Sequence, residues 1–425
     1  MLNEYEICVV GMGPAWLGIV SQMKEKMENR LICFEAGDEI ENRSCQYLNI
    51  KNCNGCATCH MITGVGGCAV LSSGKISGYP AGSKMKTIIG DENETRELIE
   101  QSLEHLKKKI DLKKVDVNLD AMQSRIPVFE MENIVFKYYD VYKFDHCNLK
   151  KLFSDERKRM EELGASICTN EEVLYIKKKK DFFEVTTSKR KVLAKKVVLA
   201  VGKSGEQLIQ HILSEKYAVA EDNFIDVGVR IECPDVYLSQ ISDLHGDIKL
   251  KYGDSRTYCY SEKGKVAGYR LNNHLFTEGY SDLVLDSGLT NFAILTRLNS
   301  DNIDYHPILK WYNNDVESVI TKISMKDFMN GINNKQLSLV YSETIIANLR
   351  EMCEKFLKVL LKEQDYSNIH IYGPEMDIVP NKLNCDHFFS VGENLYAIGA
   401  CCGHFRGILQ SYSAGVKCAS KIMEE

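Results

Sequence analysis

The chain has 425 residues, of which 44% are hydrophobic and 26% are charged, and its formal net charge is −6. This length allows two or three domains with a large buried core, and the small negative charge gives no reason to expect nucleic acid or an anionic membrane as a partner. No apolar run reaches the roughly 18 residues that a membrane-spanning helix needs, and the first residues lack the basic segment of a secretory signal. We therefore expect a cytoplasmic protein without a membrane span that acts on a small molecule, and the sequence sets no oligomeric state.

The first 35 residues have the pattern strand, glycine turn, helix, strand, acid. Residues 5–10 and 31–34 are short apolar runs, and residues 16–30 have a helical pattern. A glycine after the first strand takes the tight turn, a second glycine lets the backbone approach a pyrophosphate, and an acid after the second strand can accept hydrogen bonds from a ribose. The pattern favours a dinucleotide-binding βαβ unit over an ordinary strand, turn and helix. The candidate cofactor-binding residues here are Gly11, Gly13, Pro14, Ala15 and Glu35.

One position departs from the GxGxxG pattern. Trp16 stands where the third glycine is expected, and the next glycine is Gly18. Because the third glycine normally lets helix and strand pack closely, we expect the helix to tilt or the indole to point into another part of the protein. Nucleotide binding is then expected in an altered form.

Five of the sixteen cysteines lie within 24 residues, and three of them form a C-x2-C-x2-C pattern. This spacing allows thiolates to converge on an iron-sulfur cluster or a zinc ion. Two neighbouring cysteines can instead act as a redox dithiol, and a cysteine-rich loop that only packs is a third interpretation. The sequence leaves all three open. The candidate metal ligands are Cys53, Cys56 and Cys59, with Cys45 or Cys68 as a fourth.

A glycine-rich stretch follows at residues 64–75. Its glycines let the backbone approach a planar ring or a phosphate, and its place after the second strand favours contact with a cofactor, through Gly66 and Gly67, over a merely flexible loop. Farther along, the pattern predicts helices, a β-meander and a buried strand that ends at Gly202. The helices are expected at residues 94–109 and 149–163, the meander at 172–176, 182–187 and 191–193, and the buried strand within 196–205.

These motifs together resemble the flavoproteins with two dinucleotide-binding domains, and most closely the uncharacterised bacterial FAD-dependent dehydrogenases. The matching segments, besides the GxGPA start, are the cysteine segment with its glycine loop, residues 227–232 (VGVRIE), residues 257–259 (TYC) and residues 403–408 (GHFRGI). The resemblance spans nearly the whole chain. It implies FAD as the cofactor and says little about the substrate.

The resemblance implies an α/β fold with a Rossmann-like FAD-binding domain of the GR2 type, a β-meander and an inserted α+β substrate or cap domain. The first part of the FAD domain is expected at 1–221, with a cysteine-rich loop at 45–68 and a helical excursion at 90–145. The inserted domain is expected at 222–368 and the rest of the FAD domain at 369–425. Candidate pocket residues in the inserted domain are Tyr252, Tyr258, Tyr260, Tyr269 and His274.

In this architecture the chain returns through a buried strand at 394–399, a turn at 400–407 and a final helix at 408–423. A helix N-terminus stabilises negative charge at the pyrimidine side of a reduced flavin. Relatives carry an acid after the strand glycine, where this chain has Ala400. We therefore expect Gly407 and Ile408 amides to hold the FAD here, beside Gly202 and Gly399.

The resulting expectation is an FAD-dependent oxidoreductase that transfers a hydride or an electron pair to or from a small organic substrate. A second dinucleotide fingerprint is lacking, so NAD(P)H is expected at most as a transient donor. The alternatives are a thiol-linked flavin oxidoreductase and a non-catalytic protein that binds a metal or cluster on a degenerate flavoprotein fold. The candidate catalytic residues are His404, Arg406, Lys75 and Cys59.

Overall fold

The computed structural model describes residues 2–45, 53, 56, 58–214, 224–242, 244–284, 286–314, 318–332, 334–361, 366–379 and 382–423. The strands are β1 (Glu4–Val10), β2 (Leu31–Phe34), β3 (Lys75–Ser77), β4 (Lys113–Lys114), β5 (Val135–Phe136), β6 (Val141–Lys143), β7 (Ser166–Cys168), β8 (Val173–Lys178), β9 (Phe183–Thr187), β10 (Lys191–Leu199), β11 (Phe224–Pro234), β12 (Leu250–Tyr252), β13 (Ser255–Ser261), β14 (Lys265–Leu271), β15 (His274–Tyr280), β16 (Leu289–Asn299), β17 (Thr321–Ser324), β18 (His370–Val379), β19 (Ser390–Gly392) and β20 (Leu395–Ala397). The helices are α1 (Pro14–Val20), α2 (Lys86–Ile89), α3 (Glu92–Lys107), α4 (Leu119–Met131), α5 (His146–Glu162), α6 (Glu206–Ser214), α7 (Ser239–Ser242), α8 (Tyr305–Tyr312), α9 (Met325–Met329), α10 (Lys335–Ser338), α11 (Glu343–Leu360) and α12 (Ile408–Met423). None of these helices is long and apolar enough to cross a membrane.

A mainly parallel sheet has the strand order β19-β20-β10-β1-β2-β7, and β8 and β9 extend it from β10. Strand β1 pairs in parallel with both β10 and β2, and β10 pairs in parallel with β20. Its side chains enter apolar clusters on both faces, as a covered parallel sheet requires. The predicted α/β class, the first βαβ unit and the β-meander are confirmed. The third strand of the meander and the buried strand after it are one continuous element, β10.

The register of this sheet brings distant glycines to one edge. Val10 pairs with Leu199, and Leu199 pairs with Ala397. Since carboxyl ends of parallel strands meet at the same edge, the turns that contain Gly11, Gly202 and Gly399 lie side by side. This edge is where nucleotide cofactors bind in open α/β sheets.

A second sheet has the order β17-β18-β11-β16-β13-β12-β5 and is antiparallel throughout. The hairpin β14-β15 forms a separate two-stranded sheet, and β3, β6 and β4 form a small third sheet. The second sheet also takes in strands from outside residues 222–368, namely β5 and β18. The predicted domain limits stay a proposal, and the limit between 221 and 222 lies outside the described residues, as do residues 46–52, 54, 55 and 57 of the predicted cysteine-rich loop.

Trp16 lies fully buried under the first sheet and points away from the cofactor edge. Its indole N–H donates to the Sγ of Cys33 at 3.3 Å, and its ring stacks on Phe153 of α5 with 6.3 Å between centroids. Close packing is instead provided by Gly18, where a Cβ would stand 2.0 Å from the carbonyl oxygen of Tyr412 in α12. The indole thus points toward β2 and α5, as one of the two expectations had it. Gly18 allows α1 to pack closely against α12.

The helices follow the predicted order with shifted ends. Helix α1 stops at Val20, ten residues before the predicted end at 30. Helix α3 starts two residues before the prediction because the Asp91 carboxylate accepts a hydrogen bond from the Glu94 amide and caps it. Helix α5 ends before Gly164, which has the positive φ of 90° expected of a glycine after a helix. Helix α12 spans the predicted residues 408–423.

Candidate functional site

A cavity of about 1170 Å³ runs from the glycine turn of the first sheet to the face of the second sheet. It collects segments that are hundreds of residues apart in sequence. Of the predicted cofactor residues it is lined by Gly11, Gly13, Pro14, Ala15, Glu35, Gly67, Gly202, Gly399, Gly407 and Ile408. Of the other candidates it is lined by Cys56, Cys59, Cys68, Lys75, His404 and Arg406.

The buried carboxylate of Glu35 holds the backbone around the glycine turn. One oxygen accepts from the Met12 amide at 2.8 Å, and the other accepts from the amides of Gly64 at 2.8 Å and Gly37 at 3.1 Å. The side chain reaches the cavity as the spacing predicted, while its bonds to three amides add a structural role. A carboxylate has about four lone-pair sites, so a ribose hydroxyl can still be accepted.

The glycine-rich loop lies across the glycine turn and is fastened there by Arg43. The Arg43 guanidinium donates to the carbonyls of Val65 at 2.9 Å and Gly67 at 2.6 Å, and it is 3% exposed. The amide of Gly66 donates to the carbonyl of Met12 at 2.8 Å. Gly66 is therefore behind the loop surface and outside the cavity lining, whereas Gly67 faces the cavity. Arg43 gave no sequence signal because its partners are all backbone carbonyls.

The structure describes all five cysteines of the cysteine-rich loop. Within the described residues, no group of three or more Cys, His, Asp or Glu side chains is arranged to hold a metal ion. The structure describes all sixteen cysteines of the chain, and none of them forms a disulfide bond. Cys59 accepts a hydrogen bond from the Arg270 amide at 3.2 Å, and burial raises the pKa of its thiol, so it is protonated near neutral pH. Cys56 is exposed at the cavity. The iron-sulfur and zinc interpretations thus gain no support.

Lys75 links the glycine loop to the second sheet. Its ammonium donates to the Asp247 carboxylate at 2.5 Å and to the carbonyl of Tyr260. The Tyr139 hydroxyl donates to the other Asp247 oxygen at 2.6 Å. Burial by itself would raise the pKa of Asp247, but the charges of Lys75 and Lys249 lower it to about 2. Lys75 is therefore a fixed, paired cation at the cavity wall.

The turn before α12 contributes His404 and Arg406. The ring of His404 lies 2.8 Å from the carbonyl of Leu383 and 3.4 Å from the hydroxyl of Thr87, and burial lowers its pKa. The His404 ring is therefore neutral near neutral pH, and the contacts of its two nitrogens hold the turn before α12 in place. Arg406 forms an ion pair with Asp377 of β18, and the ammonium of Lys203 lies 3.5 Å from the same carboxylate.

Sequence reasoning missed a cluster of cations on the second sheet. Arg297 donates two hydrogen bonds of 3.0 Å to the buried carboxylate of Asp226, and Arg256 binds the same carboxylate. Burial alone would raise the pKa of Asp226, but the two guanidinium groups lower it to about 2. The only signal in the sequence was that Arg256 directly precedes the TYC segment.

Two lysines complete the positive wall. The ammonium of Lys249 lies 4.6 Å from the ring centroid of Tyr258, and that of Lys84 lies 5.2 Å from the ring centroid of Phe224. Burial and the charge of Arg256 lower the pKa of Lys249 to about 7. Lys84 and Lys249 line the cavity together with Arg256 and Arg297.

The predicted aromatic pocket is partly assembled. Tyr258 and Tyr269 line the cavity. Tyr260 is buried with its hydroxyl 2.7 Å from that of Ser242, and His274 is buried beside the carbonyl of Tyr312 at 3.0 Å. Tyr252 lies under the ammonium of Lys355, 4.4 Å from its ring centroid. These last three residues pack the second sheet and its hairpin and are not among the cavity-lining residues.

Comparisons with known proteins found only distant similarity. No family model and no curated protein matches the chain. Similar solved structures include L-proline dehydrogenase from P. horikoshii (11% identity, 100% of this chain and 94% of that chain, TM-score 0.45). Others are glycine oxidase from Geobacillus kaustophilus (11%, 100% and 95%, 0.41) and dithionite-reduced L-alpha-glycerophosphate oxidase from Mycoplasma pneumoniae with FAD bound (11%, 100% and 96%, 0.42).

Proposed function

We propose that this protein is an FAD-dependent oxidoreductase of the dehydrogenase or oxidase type that acts on a small organic substrate. The observation that carries the proposal is the continuity of one cavity. It joins the glycine turn and Glu35 at one end to the turn before α12, and it ends against the charged face of the second sheet. A dinucleotide that lay along the sheet edge would present its far end to a substrate held on that face.

The residues present fit FAD. The cavity volume of about 1170 Å³ suits a large, elongated cofactor with room for a small substrate. A Cβ built on Gly13 would meet only the Cα of Gly67, at 3.9 Å, and one built on Gly202 would meet nothing within 4 Å. The space over both glycines is therefore open to a ligand.

Each end of the cavity supplies a different kind of contact. Gly11 and Gly13 would let the backbone come close to the pyrophosphate, and the Glu35 carboxylate would accept a hydrogen bond from a ribose hydroxyl of the adenosine. At the other end, the amides of Gly407 and Ile408 begin the sixteen-residue helix α12, whose N-terminus favours negative charge. When bound, FAD supplies the acceptance and donation of a hydride or electron pair. Ala400 leaves the ribityl chain without the expected acid, so the glycine loop at Gly67 takes a larger share of the contact.

The first experiment is an anaerobic absorption spectrum of freshly purified protein, with iron and zinc measured on the same sample. The proposal expects the two-band spectrum of oxidised flavin, bleached by dithionite, and substoichiometric metal. A colourless protein that does not take up added FAD would contradict the proposal. Stoichiometric metal that is lost in Cys53→Ser would instead support the metal-binding alternative.

Gly13→Ala tests where the cofactor lies. The open space around Gly13 and its φ of −86° allow an alanine without strain, while the added methyl would occupy the place of the pyrophosphate. We expect FAD affinity to fall by at least about tenfold, measured by flavin fluorescence, with an unchanged circular dichroism spectrum. Gly78→Ala is the matched control, because its Cβ would meet only ordinary contacts from 3.4 Å and the residue lies outside the cavity lining. Equal FAD affinity in both variants would contradict this placement.

A further inference from the structure

The cavity wall on the second sheet holds more cations than its carboxylates neutralise. Arg256 and Arg297 share the carboxylate of Asp226. Arg406 and Lys203 likewise share Asp377, which pairs directly with Asp226 across β11 and β18. The carboxylate of Glu278 also lines the cavity and interacts with Lys203. The uncompensated positive charge therefore lies at Asp226, where two guanidinium groups share one carboxylate.

Lys84 and Lys249 add two further charges to the same wall. In the part of the chain that the structure describes, neither ammonium forms an ion pair with a carboxylate, and each lies over an aromatic ring. Both pKa values are lowered by burial first and then by neighbouring cations, Arg297 for Lys84 and Arg256 for Lys249. The two lysines thus lie close to the arginine pair, an arrangement of like charges that costs free energy unless an anion is bound among them.

The position of this cluster separates it from the pyrophosphate end of the cofactor. Arg256 and Arg297 lie on β13 and β16 of the second sheet, whereas Gly11 and Gly13 follow β1 of the first sheet. The cluster is therefore at the end of the cavity where a substrate would meet the cofactor. We name Lys84, Lys249, Arg256 and Arg297 the anion pocket.

We propose that the substrate of this protein is an organic anion, and that its carboxylate or phosphate group binds in the anion pocket. The proposal rests on the proposed function, because the bound anion would be the molecule that exchanges electrons with the flavin. Arg256 and Arg297 orient the group through guanidinium N–H donors, while Lys84 and Lys249 contribute further positive charge.

The proposal has a proton signature at Lys249. An anion beside this ammonium favours its charged form, so binding raises the pKa of Lys249 from about 7 and takes up a proton when the pH lies just above that value. The other charged or titratable groups that face Lys249 are Arg256, Lys75, Asp226, Asp247 and Tyr258. The pKa values of the Asp226 and Asp247 carboxyls are about 2, so both stay ionised near neutral pH, and burial raises the pKa of Tyr258.

The test is isothermal titration calorimetry on the FAD-loaded protein at pH 7.5 to 8 in two buffers of different ionisation enthalpy. The probes are inorganic phosphate, benzoate and neutral benzamide. We expect one or both anions to bind, and benzamide to bind more weakly. Proton uptake is assessed with benzoate, because its carboxylate stays ionised in this pH range and the proton can then be assigned to the protein. The tighter of the two anions distinguishes a phosphate from a carboxylate substrate.

Variants locate the binding. Lys84→Met and Lys249→Met each should weaken anion binding by about tenfold, and Lys249→Met should also abolish the proton uptake. Lys265→Met, which changes an exposed lysine of β14 outside the cavity lining, is the control and should bind as the unchanged protein does.

Three results would overturn the proposal: no binding of either anion, equal affinity for benzoate and benzamide, or release of FAD by the anion in proportion to its binding. Flavin content is measured on the same samples. Protein that binds anions with proton uptake but never holds FAD would contradict the proposed function and leave the anion pocket in place, so the two failures are distinguishable.

Discussion

At the scale of single residues, the carboxylate of Glu35 joins three stretches of backbone. Its two oxygens accept hydrogen bonds from the backbone amides of Met12, Gly37 and Gly64, and the residue is 5% exposed. In Glu35→Gln, one oxygen becomes an NH₂ group that meets an amide donor. We expect the free energy of unfolding to fall by about 1–3 kcal/mol even without FAD, because a buried donor loses its acceptor.

Urea unfolding of the FAD-free protein measures this loss, and Glu172→Gln at the exposed rim of the cavity is the control. A Glu35→Gln variant of unchanged stability and reduced FAD affinity would show that this carboxylate serves the ribose alone. The spacing from Gly11 to Glu35 predicted this residue because βαβ geometry is local. Arg43, Lys249 and Arg256 could not be predicted in the same way, since their partners are backbone carbonyls or residues brought near by strand pairing.

At the scale of elements, helices α1 and α12 touch backbone to backbone. A Cβ at Gly18 would stand 2.0 Å from the Tyr412 carbonyl, and one at Gly415 would stand 2.1 Å from the Ala15 carbonyl. Gly18→Ala should therefore force the helices apart and cost about 3 kcal/mol, the upper end for overpacking. Because α12 begins at the cavity with Ile408, FAD content should fall as well.

The midpoint of urea unfolding and the flavin content of purified Gly18→Ala check this prediction. Ser420→Ala, on the exposed side of α12 and away from the contact with α1, is the control for a substitution on this helix. An unchanged midpoint would mean that the two helices can separate without cost. The residue pattern predicted both helices and the end points of α12, whereas α1 is shorter than predicted because turns follow Val20.

The VGVRIE segment lies on β11 and connects this strand to its two neighbours through Arg230. Arg230 of β11 is fully buried and donates to both oxygens of Glu375 in β18, at 2.7 and 2.6 Å. It also donates to the side chain of Asn291 in β16 at 2.8 Å. This motif therefore fastens three strands of the second sheet.

Arg230→Met should cost about 3–5 kcal/mol, because it leaves the Glu375 charge buried and unpaired. Arg230→Met combined with Glu375→Met should recover much of that loss, since the Glu375 charge leaves together with its partner. The carboxylate of Glu278, 3.5 Å from the Arg230 guanidinium, keeps the neighbouring charge of Lys203. Urea unfolding of the two single variants and the double variant completes the cycle. Additive losses would show that the two side chains do not stabilise each other.

At the scale of the whole molecule, charge is unevenly distributed: the net charge is −6, yet one wall of the cavity is positive. Composition and motif order were sufficient to predict the α/β class, the meander and the first βαβ unit, because each depends on residues near one another in sequence. The anion pocket depends on the antiparallel pairing of β16 with β11 on one side and β13 on the other, and on the placement of Lys84 from the first part of the chain. Long-range pairing of this kind leaves no local periodicity to read.

This concentration of charge predicts an unusual dependence of stability on pH. Lys249 has a folded-state pKa of about 7, against about 10.4 in the unfolded chain. Between these values the unfolded chain holds a proton that the folded protein has released, so stability rises with pH across that window. Below it the cation is present in both states and its burial costs free energy.

Lys249→Met removes this cost. The variant should exceed the unchanged protein in stability at pH 6, a value below the window, and the difference should shrink steadily as the pH rises toward about 10.4. Urea midpoints at a series of pH values, with Lys251→Met as the baseline for losing an exposed lysine of the same region, measure this difference. If the advantage of Lys249→Met were constant with pH, Lys249 would not change its protonation in the window, and the ammonium would be solvated and not held against the arginine pair.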